Sequence, residues 1–448
     1  MPLRRSWPLI GAALLLLPAC SPPEHVEVAS PTPSPIPRPT PVPSPTPLYV
    51  PYKRLDTGRL FNGVSLQTTF STEPGGPATV EVTSSSSYSL HLDLHVRIPR
   101  AVDSLDGLVA LDPSLPALFP QLAQWLKSAH VSPFYERLYR HKVASVEQSF
   151  LRLDQLLTRH DFFDCETILE IAPPAVPPAT APRRILWIQS AMDTDSDGSD
   201  SDRVPDVDAN SETFQPITSY KWPKRSAVPN PFLAEREARL ETLETSLEAA
   251  TTAAQRQQIL DSIGSAQWDI KQLRGKSFLV AADDPYIVVP TFAVGQKDDP
   301  FSPGIGDYCA IVYGGVIYPA IIGDAGPSNK VGEASLRIAQ QLNPLATSEN
   351  RPVSPLKVTY LIFPGTADHP FAPPDLAHWH DRVDALLKEA GGYNGQLFAW
   401  KDLTVPTPTP TPPPTPTPSP TPSASPEPST SASPSPSVSI SPSPSTSP

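Results

Sequence analysis

Cysteine is scarce in this sequence, with three residues in 448. That scarcity excludes a small disulfide-stapled scaffold and a cysteine-rich zinc protein. Basic residues are also few, 34 against 46 acidic ones, which gives a net charge of −12. A nucleic acid is therefore not an expected partner, because phosphate binding needs a basic surface, whereas a cationic ligand would suit the charge. The Gly-x-Ser-x-Gly elbow, the His-Glu-x-x-His helix and the phosphate-binding glycine loop are absent as well.

Proline, in contrast, is abundant and strongly clustered. Of the 62 prolines, nine lie in residues 31–47 and 17 in residues 406–448, where they alternate with serine and threonine. Such tracts have no apolar face to bury, so they cannot form a core. We predict a proline-rich tether over residues 21–51, one folded region over residues 52–403 and a disordered tail over residues 404–448.

The first twenty residues have the pattern of an export signal. Two arginines precede a short apolar stretch at residues 9–17, which is too short for a comfortable membrane span. The stretch ends in Leu-Pro-Ala-Cys, which resembles a bacterial lipobox. Residues 1–20 are therefore predicted to be a lipoprotein signal peptide, with Cys20 as the lipidated residue and membrane anchor. This predicts a protein of the cell envelope, with Ser21 favouring the outer membrane; an ordinary signal peptide and an extracellular protein are the alternative.

The folded region begins with an N-terminal extension, residues 52–184. Apolar and polar residues alternate over residues 90–98, which is the period of a half-buried strand. Ser132 is a suitable N-cap and Pro133 a suitable first residue for a long helix that would continue to about residue 160. The extension is therefore predicted to be a strand-plus-helix region.

Two patterned segments follow the extension. Residues 232–274 carry two apolar stripes at helical spacing, which predict an inserted antiparallel helical hairpin. Residues 277–365 contain short apolar runs bounded by Gly, Pro and Asp, which predict strands, with one helix over residues 332–342. Gly314 and Gly315, between two of these runs, predict a tight hairpin. A last helix is expected in residues 366–403. The predicted fold class is α+β, with a small, mainly-β barrel or sandwich as the core.

Two carboxylates flank a glycine-rich loop in this β-rich segment. Asp324 ends a strongly apolar strand, and Glu333 is expected in the first turn of the helix that follows. Hydrolysis of an acetal needs such a pair, one protonated acid for the leaving oxygen and one ionised base for water. The alternative is structural: Glu333 would complement the helix dipole, and Asp324 would cap a turn.

An acidic run lies closer to the N-terminus. Residues 193–212 contain eight acidic side chains and one basic side chain. Asp193, Asp195 and Asp197 match the opening of an EF-hand loop, but the twelfth position is Val204 instead of glutamate, and no helix is predicted to follow. Three interpretations stay open: calcium at these aspartates in another geometry, an anionic subsite for a cationic sugar polymer, and a solvated acidic loop.

Aromatic and sulfur side chains near these motifs have two interpretations each. Tyr220, Trp222 and Tyr286 could be stacking platforms, because ring faces bind sugars and protonated amines, or they could be ordinary core residues. Cys165 and Cys309 could pair in an oxidising compartment or stay buried as free thiols.

Together these motifs resemble glycoside hydrolase family 75, the fungal-type chitosanases. The acidic run at residues 192–198, the strand at residues 284–289, the Gly-Asp pair ending at Asp324 and the Gly-Glu-Ala-Ser sequence containing Glu333 occur in the family's order. The resemblance covers residues 185–365, interrupted by the helical insert. The loop between the two acids is shorter than in fungal members and lacks their additional acidic residues, which bears on cleft shape and substrate preference.

The resemblance implies endo-hydrolysis of β-1,4-linked glucosamine chains with inversion. It assigns Asp324 as the general base and Glu333 as the general acid, with their carboxyl groups roughly 6.5–9.5 Å apart. A cationic polysaccharide is then the substrate, and no cofactor is expected beyond the open possibility of calcium. Two rivals use the same fold: a non-catalytic polysaccharide-binding or adhesion lipoprotein, and a calcium-stabilised structural lipoprotein.

Overall fold

The structure, a computed structural model, describes residues 75–83, 93–152, 159–177, 181–204, 207, 209, 211 and 213–404. The predicted signal peptide with Cys20, the tether and the tail beyond Thr404 lie outside these residues, so their assignments stay predictions. In the described part of the chain, no helix combines the length and the apolar character that a membrane crossing requires.

The helices belong to three parts of the chain. The N-terminal extension contains α1 (Ala78–Glu81), α2 (Leu105–Leu111), α3 (Leu115–Leu118), α4 (Leu122–Trp125), α5 (Pro133–Arg152) and α6 (Arg159–Phe162). The insert forms α7 (Leu233–Ala249) and α8 (Ala253–Gly275). The C-terminal part contains α9 (Leu336–Leu342) and α10 (Leu376–Glu389), and a single 3₁₀ turn spans Thr291–Ala293.

The strands form one large sheet and a small ribbon. They are β1 (His130–Val131), β2 (Cys165–Ile171), β3 (Ile185–Asp195), β4 (Lys221–Pro223), β5 (Lys276–Phe278), β6 (Tyr286–Pro290), β7 (Tyr308–Tyr313), β8 (Val316–Gly326), β9 (Glu333–Ser335), β10 (Val353–Ile362) and β11 (Gln396–Leu397). Hydrogen bonds close six of them into a barrel in the order β3-β10-β7-β8-β6-β9 and back to β3. β2 and β1 extend the sheet beyond β3, β11 pairs with β8, and β4 pairs with β5.

The barrel confirms the predicted α+β class with a mainly-β core. Two of its strands are covered on both faces along their whole length. All five residues of Tyr286–Pro290 and all eleven of Ile185–Asp195 are buried. A strand with one solvated face would alternate instead.

The hairpin that joins β7 to β8 turns at Gly314 and Gly315. Their φ angles are 59° and 80°, and Tyr313 pairs directly with Val316. A two-residue turn with positive φ at both positions matches the twist of antiparallel strands, and glycine adopts it without steric cost. The Gly-Gly pair therefore sets the register of the two central strands.

The insert is the antiparallel helical hairpin that the sequence predicted. Thr252 caps α8 through a reciprocal hydrogen-bond pair with Gln255, which accounts for the break between the two helices. α8 buries an apolar stripe that includes Ile263, Ile270 and Leu273, whereas α7 has no buried residue. The hairpin therefore packs onto the fold through one helix.

The N-terminal extension agrees with its prediction in the helix as far as Arg152 and differs in the strand; residues 90–92 and 153–158 of the predicted elements lie outside the described residues. α5 begins at Pro133, and the Ser132 hydroxyl accepts a hydrogen bond from the Phe134 N–H. Residues 93–100, however, form neither helix nor strand, and their apolar side chains Leu94 and Ile98 are 37% and 48% exposed. The alternation of apolar and polar residues was not enough to form a strand here, because a strand also needs a neighbouring strand to pair with.

The extension packs against the barrel. The Gln189 side chain on β3 donates a hydrogen bond of 3.0 Å to the Leu108 carbonyl of α2. The Trp125 indole N–H donates to the Ala390 carbonyl after α10 at 2.9 Å. Both donors are buried, so these contacts belong to the core shared by the extension and the barrel.

Candidate active site

Asp324 lies near the end of β8, where Ser219 holds its side chain. The Ser219 N–H donates to Asp324 Oδ1 at 3.0 Å, and the Ser219 hydroxyl donates to the same oxygen. The Ala325 N–H donates to it as well, at 2.7 Å. Burial raises the pKa of Asp324, these three donors oppose that rise, and the charge of Glu333 adds to it. The result is a rigid carboxylate that can act as a base.

Glu333 is in a strand, not in the helix that the sequence led us to expect. β9 comprises Glu333–Ser335, and α9 begins only at Leu336. The reason is Gly332, whose φ of 84° turns the chain and whose carbonyl accepts a hydrogen bond from the Asp193 N–H. After this turn, Glu333 lies between β3 and β6 and pairs with both strands, so β9 closes the barrel.

Val288 on β6 is the common neighbour of the two acids. It pairs with Asp324 in the parallel β6–β8 ladder and with Glu333 in the antiparallel β6–β9 ladder. Residues opposite each other in a ladder project from the same face of the sheet. One strand therefore separates the two acids, which puts their backbones about 9–10 Å apart, twice the strand spacing.

Gly326 makes room for the Glu333 carboxylate. A Cβ on Gly326 would lie 3.2 Å from Glu333 Oε2 and 2.8 Å from Val288 Cγ1. The Glu333 side chain therefore extends over Val288 towards the end of β8, on the side where Asp324 lies.

The first three aspartates of the acidic run have different contacts. Asp193 pairs with Glu333 in the β3–β9 ladder, and its carboxylate lies 3.5 Å from the Lys330 ammonium. Asp195 accepts a hydrogen bond of 2.8 Å from the Tyr286 hydroxyl. Asp197 accepts one from the Gln215 N–H at 2.8 Å, and its own N–H donates to Asp195.

The surroundings of Asp197 disfavour its ionised form. Burial raises its pKa to about 9, and the negative charges of Asp195, Asp324 and Glu333 add to the rise, while the Gln215 N–H opposes it. The charges of Asp324 and Glu333, the two acids that flank Val288, thus both affect the pKa of Asp197. Asp197 forms a third carboxyl group of the same site.

In the second half of the acidic run, Asp200 and Asp202 have structural partners, whereas Asp206, Asp208 and Glu212 lie outside the described residues. Arg203 donates to Asp200 at 2.5 Å and forms a two-pronged ion pair with Asp284 at 2.8 and 2.9 Å. Asp202 accepts hydrogen bonds from the backbone of residues 225 and 226. Asp200 and Asp202 tie the loop after β3 to the rest of the fold.

The three aromatic candidates are buried. Trp222 is 1% exposed, with the Arg203 guanidinium 5.2 Å from its ring centre, and Tyr286 is fully buried. Tyr220 stacks on Phe371 at 4.4 Å. In this structure Trp222 and Tyr286 offer no open ring face to a sugar, because the core covers them; Tyr286 instead orients Asp195 through its hydroxyl.

One set of carboxylates in the described part of the chain could hold a metal ion. Its members are Asp195, Asp197 and Asp324, whose oxygens lie within 4.8 Å of one another. Asp193, grouped with Asp195 and Asp197 in the sequence, is not one of them. Calcium takes six to eight oxygen ligands, which three carboxylates supply only together with backbone carbonyls or water.

Sequence reasoning did not identify three side chains at this site. Ser219 fixes Asp324, and no local pattern marks it. Lys330 lies 3.9 Å from Glu333, three residues before it in the chain. Lys221 lies close enough for the charge of Asp324 to raise its pKa, although burial and Lys276 lower that pKa overall. Of these three side chains, only Lys330 could have been identified from the sequence, because it lies in the loop between the two acids.

The two described cysteines are buried and free. Cys165 is in β2 and Cys309 in β7, and β3 and β10 separate these strands in the sheet. Of the two possibilities that the sequence left open, the structure has the unpaired one.

Comparison with known families agrees with this geometry. Residues 192–391 match the family model described as fungal chitosanase of glycosyl hydrolase group 75. No curated protein matches the chain. The match begins in β3, contains Asp195, Asp197, Asp324 and Glu333, and ends just after α10, whereas α5 and β2 lie outside it. The match over residues 192–391 therefore supports a glycoside hydrolase domain of glycosyl hydrolase group 75 in this chain.

Proposed function

We propose that the chain cleaves β-1,4-linked glucosamine polymers internally and with inversion, using Asp324 as general base and Glu333 as general acid. The observation that carries this proposal is the placement of the two acids on either side of Val288, inside the segment that matches the chitosanase family. A backbone separation of about two strand spacings suits an inverting pair, whose carboxyl groups must admit one water.

The surroundings of Asp324 support its role, whereas the role of Glu333 as the acid rests on the family resemblance. Asp324 receives three hydrogen bonds, which favour its ionised form, so it takes the proton of the attacking water. The Glu333 carboxylate lies near the Lys330 ammonium and beside Gly326. In the proposed reaction it gives its proton to the leaving glycosidic oxygen. The charges of Asp324 and Glu333 both raise the pKa of the half-buried Asp197, which would let it share a proton with this acidic cluster.

Charge supports a cationic substrate. The chain carries a net charge of −12 and brings Asp195, Asp197 and Asp324 together at the site. A field of this sign attracts a polymer of protonated amines and raises its local concentration. We assign Asp195 and Asp197 to the substrate-facing side of the site on this ground.

The test uses the full chain and its Asp324→Asn and Glu333→Gln variants on chitosan, chitin and carboxymethylcellulose. We expect the wild type to release reducing ends from chitosan and to give mid-sized products. Each variant should lose at least about a hundredfold in kcat while its melting temperature stays close to that of the wild type. NMR of the first products should show the α anomer, as inversion of a β bond requires.

Two outcomes would overturn the proposal. Substantial activity in either variant would remove its acid from the catalytic role. Chitosan binding by the wild type without any product would favour the non-catalytic binding protein instead.

For the N-terminus we propose lipid attachment at Cys20, on the lipobox-like sequence alone. In a bacterial host, the wild type should incorporate labelled palmitate and fractionate with the cell envelope. Cys20→Ser should do neither. Equal labelling of the two proteins would contradict the assignment.

A further inference from the structure

Lys142 on α5 is a lysine with no solvent exposure. Its ammonium has three N–H groups, and three oxygens surround it: the Asp161 carbonyl at 2.6 Å, Asp164 Oδ2 at 2.9 Å and the Asn329 carbonyl at 2.7 Å. Each donor of the ammonium therefore has a partner. Two of the acceptors belong to the extension itself, but Asn329 belongs to the loop between Asp324 and Glu333.

The Asn329 carbonyl is one peptide bond from Lys330. The Lys330 ammonium lies 3.9 Å from Glu333 and 3.5 Å from Asp193. A fixed carbonyl at residue 329 fixes the peptide plane that carries Lys330, and so restricts where its side chain can reach. A continuous path of contacts thus runs from α5 through the loop to Glu333.

Stability alone gives no reason for a lysine at this position. Removing an ammonium from water costs several kcal/mol, and a methionine of similar size would fill the space without that cost. What a methionine could not do is hold a loop carbonyl at hydrogen-bond distance. Methionine would thus have two effects: it would leave the buried Asp164 carboxylate without its ammonium, which lowers stability, and it would release the loop carbonyl.

We propose that Lys142 is a positioning residue for the catalytic pair: it holds the Asn329 carbonyl and thereby keeps Lys330 against Glu333. This inference rests on the proposed function and extends it to the N-terminal extension, since α5 lies outside the segment that matches the family. The extension is then part of the working enzyme and not only an attachment.

The test is a double-mutant cycle in kcat on chitosan, made in the full chain. Lys142→Met and Lys330→Met should each lower kcat about 10- to 100-fold with little change in KM, because a misplaced acid slows the chemical step. The double variant should be no slower than the slower single one, within about threefold, because both substitutions break the same path. If the losses multiply, Lys142 does not act through Lys330 and the inference is overturned.

Tyr139→Phe is the matched control. Tyr139 lies one turn earlier on α5, is fully buried and donates to the Cys165 carbonyl at 2.9 Å, away from the loop. It should lower the melting temperature and leave kcat unchanged; a comparable fall in kcat would make the effect of Lys142 a general effect of loosening α5. Should Lys142→Met fail to fold, Lys142→Gln, which retains two N–H donors, replaces it in the cycle.

The outcomes separate the two proposals. An inactive wild type overturns the proposed function and the role of Lys142 with it. An active wild type with full kcat in the Lys142 variant overturns only the inference.

Discussion

Ser219 donates two hydrogen bonds to the same oxygen of Asp324, one from its backbone N–H and one from its hydroxyl. Both favour the ionised carboxylate, so they hold the pKa of Asp324 below the value that burial alone would give. Because the backbone donor survives substitution, the contribution of the hydroxyl can be measured on its own.

Ser219→Ala should move the acid limb of the pH profile of kcat/KM to higher pH. Without the hydroxyl, the pKa of Asp324 rises, and a general base that becomes protonated at higher pH stops working at higher pH. On the acid side we expect kcat/KM to fall about tenfold, with little change on the alkaline side. Thr218→Val is the control, because the Thr218 hydroxyl donates to the Tyr220 carbonyl and not to Asp324. An unmoved limb in Ser219→Ala would contradict the role given to Asp324.

Asp197→Asn should stabilise the protein at alkaline pH. The folded-state pKa of Asp197 is raised to about 9 from its ordinary 3.8, so the folded state binds a proton that the unfolded state releases across this range. Stability therefore falls as pH rises from about 4 to about 9, and an uncharged asparagine removes that fall.

Thermal melts of the wild type and Asp197→Asn between pH 4 and pH 9 check this. The two melting temperatures should be close near pH 4 and should diverge by a few degrees at pH 9, in favour of the variant. Asp202→Asn is the control of opposite sign, because hydrogen bonds lower the pKa of Asp202 and its contribution is lost only in acid. Parallel curves for wild type and Asp197→Asn would show that Asp197 is ionised.

Gly326→Ala should damage catalysis more than stability. The new methyl group would lie 3.2 Å from Glu333 Oε2 and 2.8 Å from Val288 Cγ1, so the carboxylate has to move. We expect kcat to fall about tenfold or more. In Gly264→Ala, the control, the methyl group meets no atom within 4 Å, and the variant should gain up to about 1 kcal/mol of helix stability. Unchanged kcat in Gly326→Ala would mean that Glu333 is not confined there.

Arg203→Met should destabilise the fold without changing the chemistry. Arg203 is a buried cation shared by Asp200 and Asp284, and its loss leaves two buried carboxylates unpaired. We expect a loss of about 3–5 kcal/mol in the free energy of unfolding. Arg274→Met removes an exposed ion pair to Glu237 and should cost about 1 kcal/mol or less. Urea unfolding of the two variants, with kcat measured on the folded protein, distinguishes a structural role from a substrate-binding role for Asp200.

The sequence predicted those features that local physics determines. The glycine pair at residues 314 and 315, the Ser132–Pro133 helix start and the two apolar stripes of the insert each depend on nearby residues. Each of these was predicted from residue type and spacing, and the structure confirms all three.

What the sequence did not predict depends on contacts between distant segments. Glu333 follows a glycine and precedes a helix, so local pattern favoured the helix. Its strand exists because β3 and β6 leave a gap that three residues can close. Similarly, nothing around Ser219 or Lys142 indicates that each would meet the loop or strand that carries the acids, more than 100 residues further along the chain.

β9 has only three residues, yet it is the seam of the barrel, joined to β3 by three residue pairs and to β6 by two. Local opening is easiest where few backbone hydrogen bonds must break. A fluctuation that unzips this seam would carry Glu333 away from Asp324 while the other five strands stay paired. On warming, activity should therefore disappear before the fold melts, and the amides of the seam should exchange with solvent ahead of the rest of the barrel.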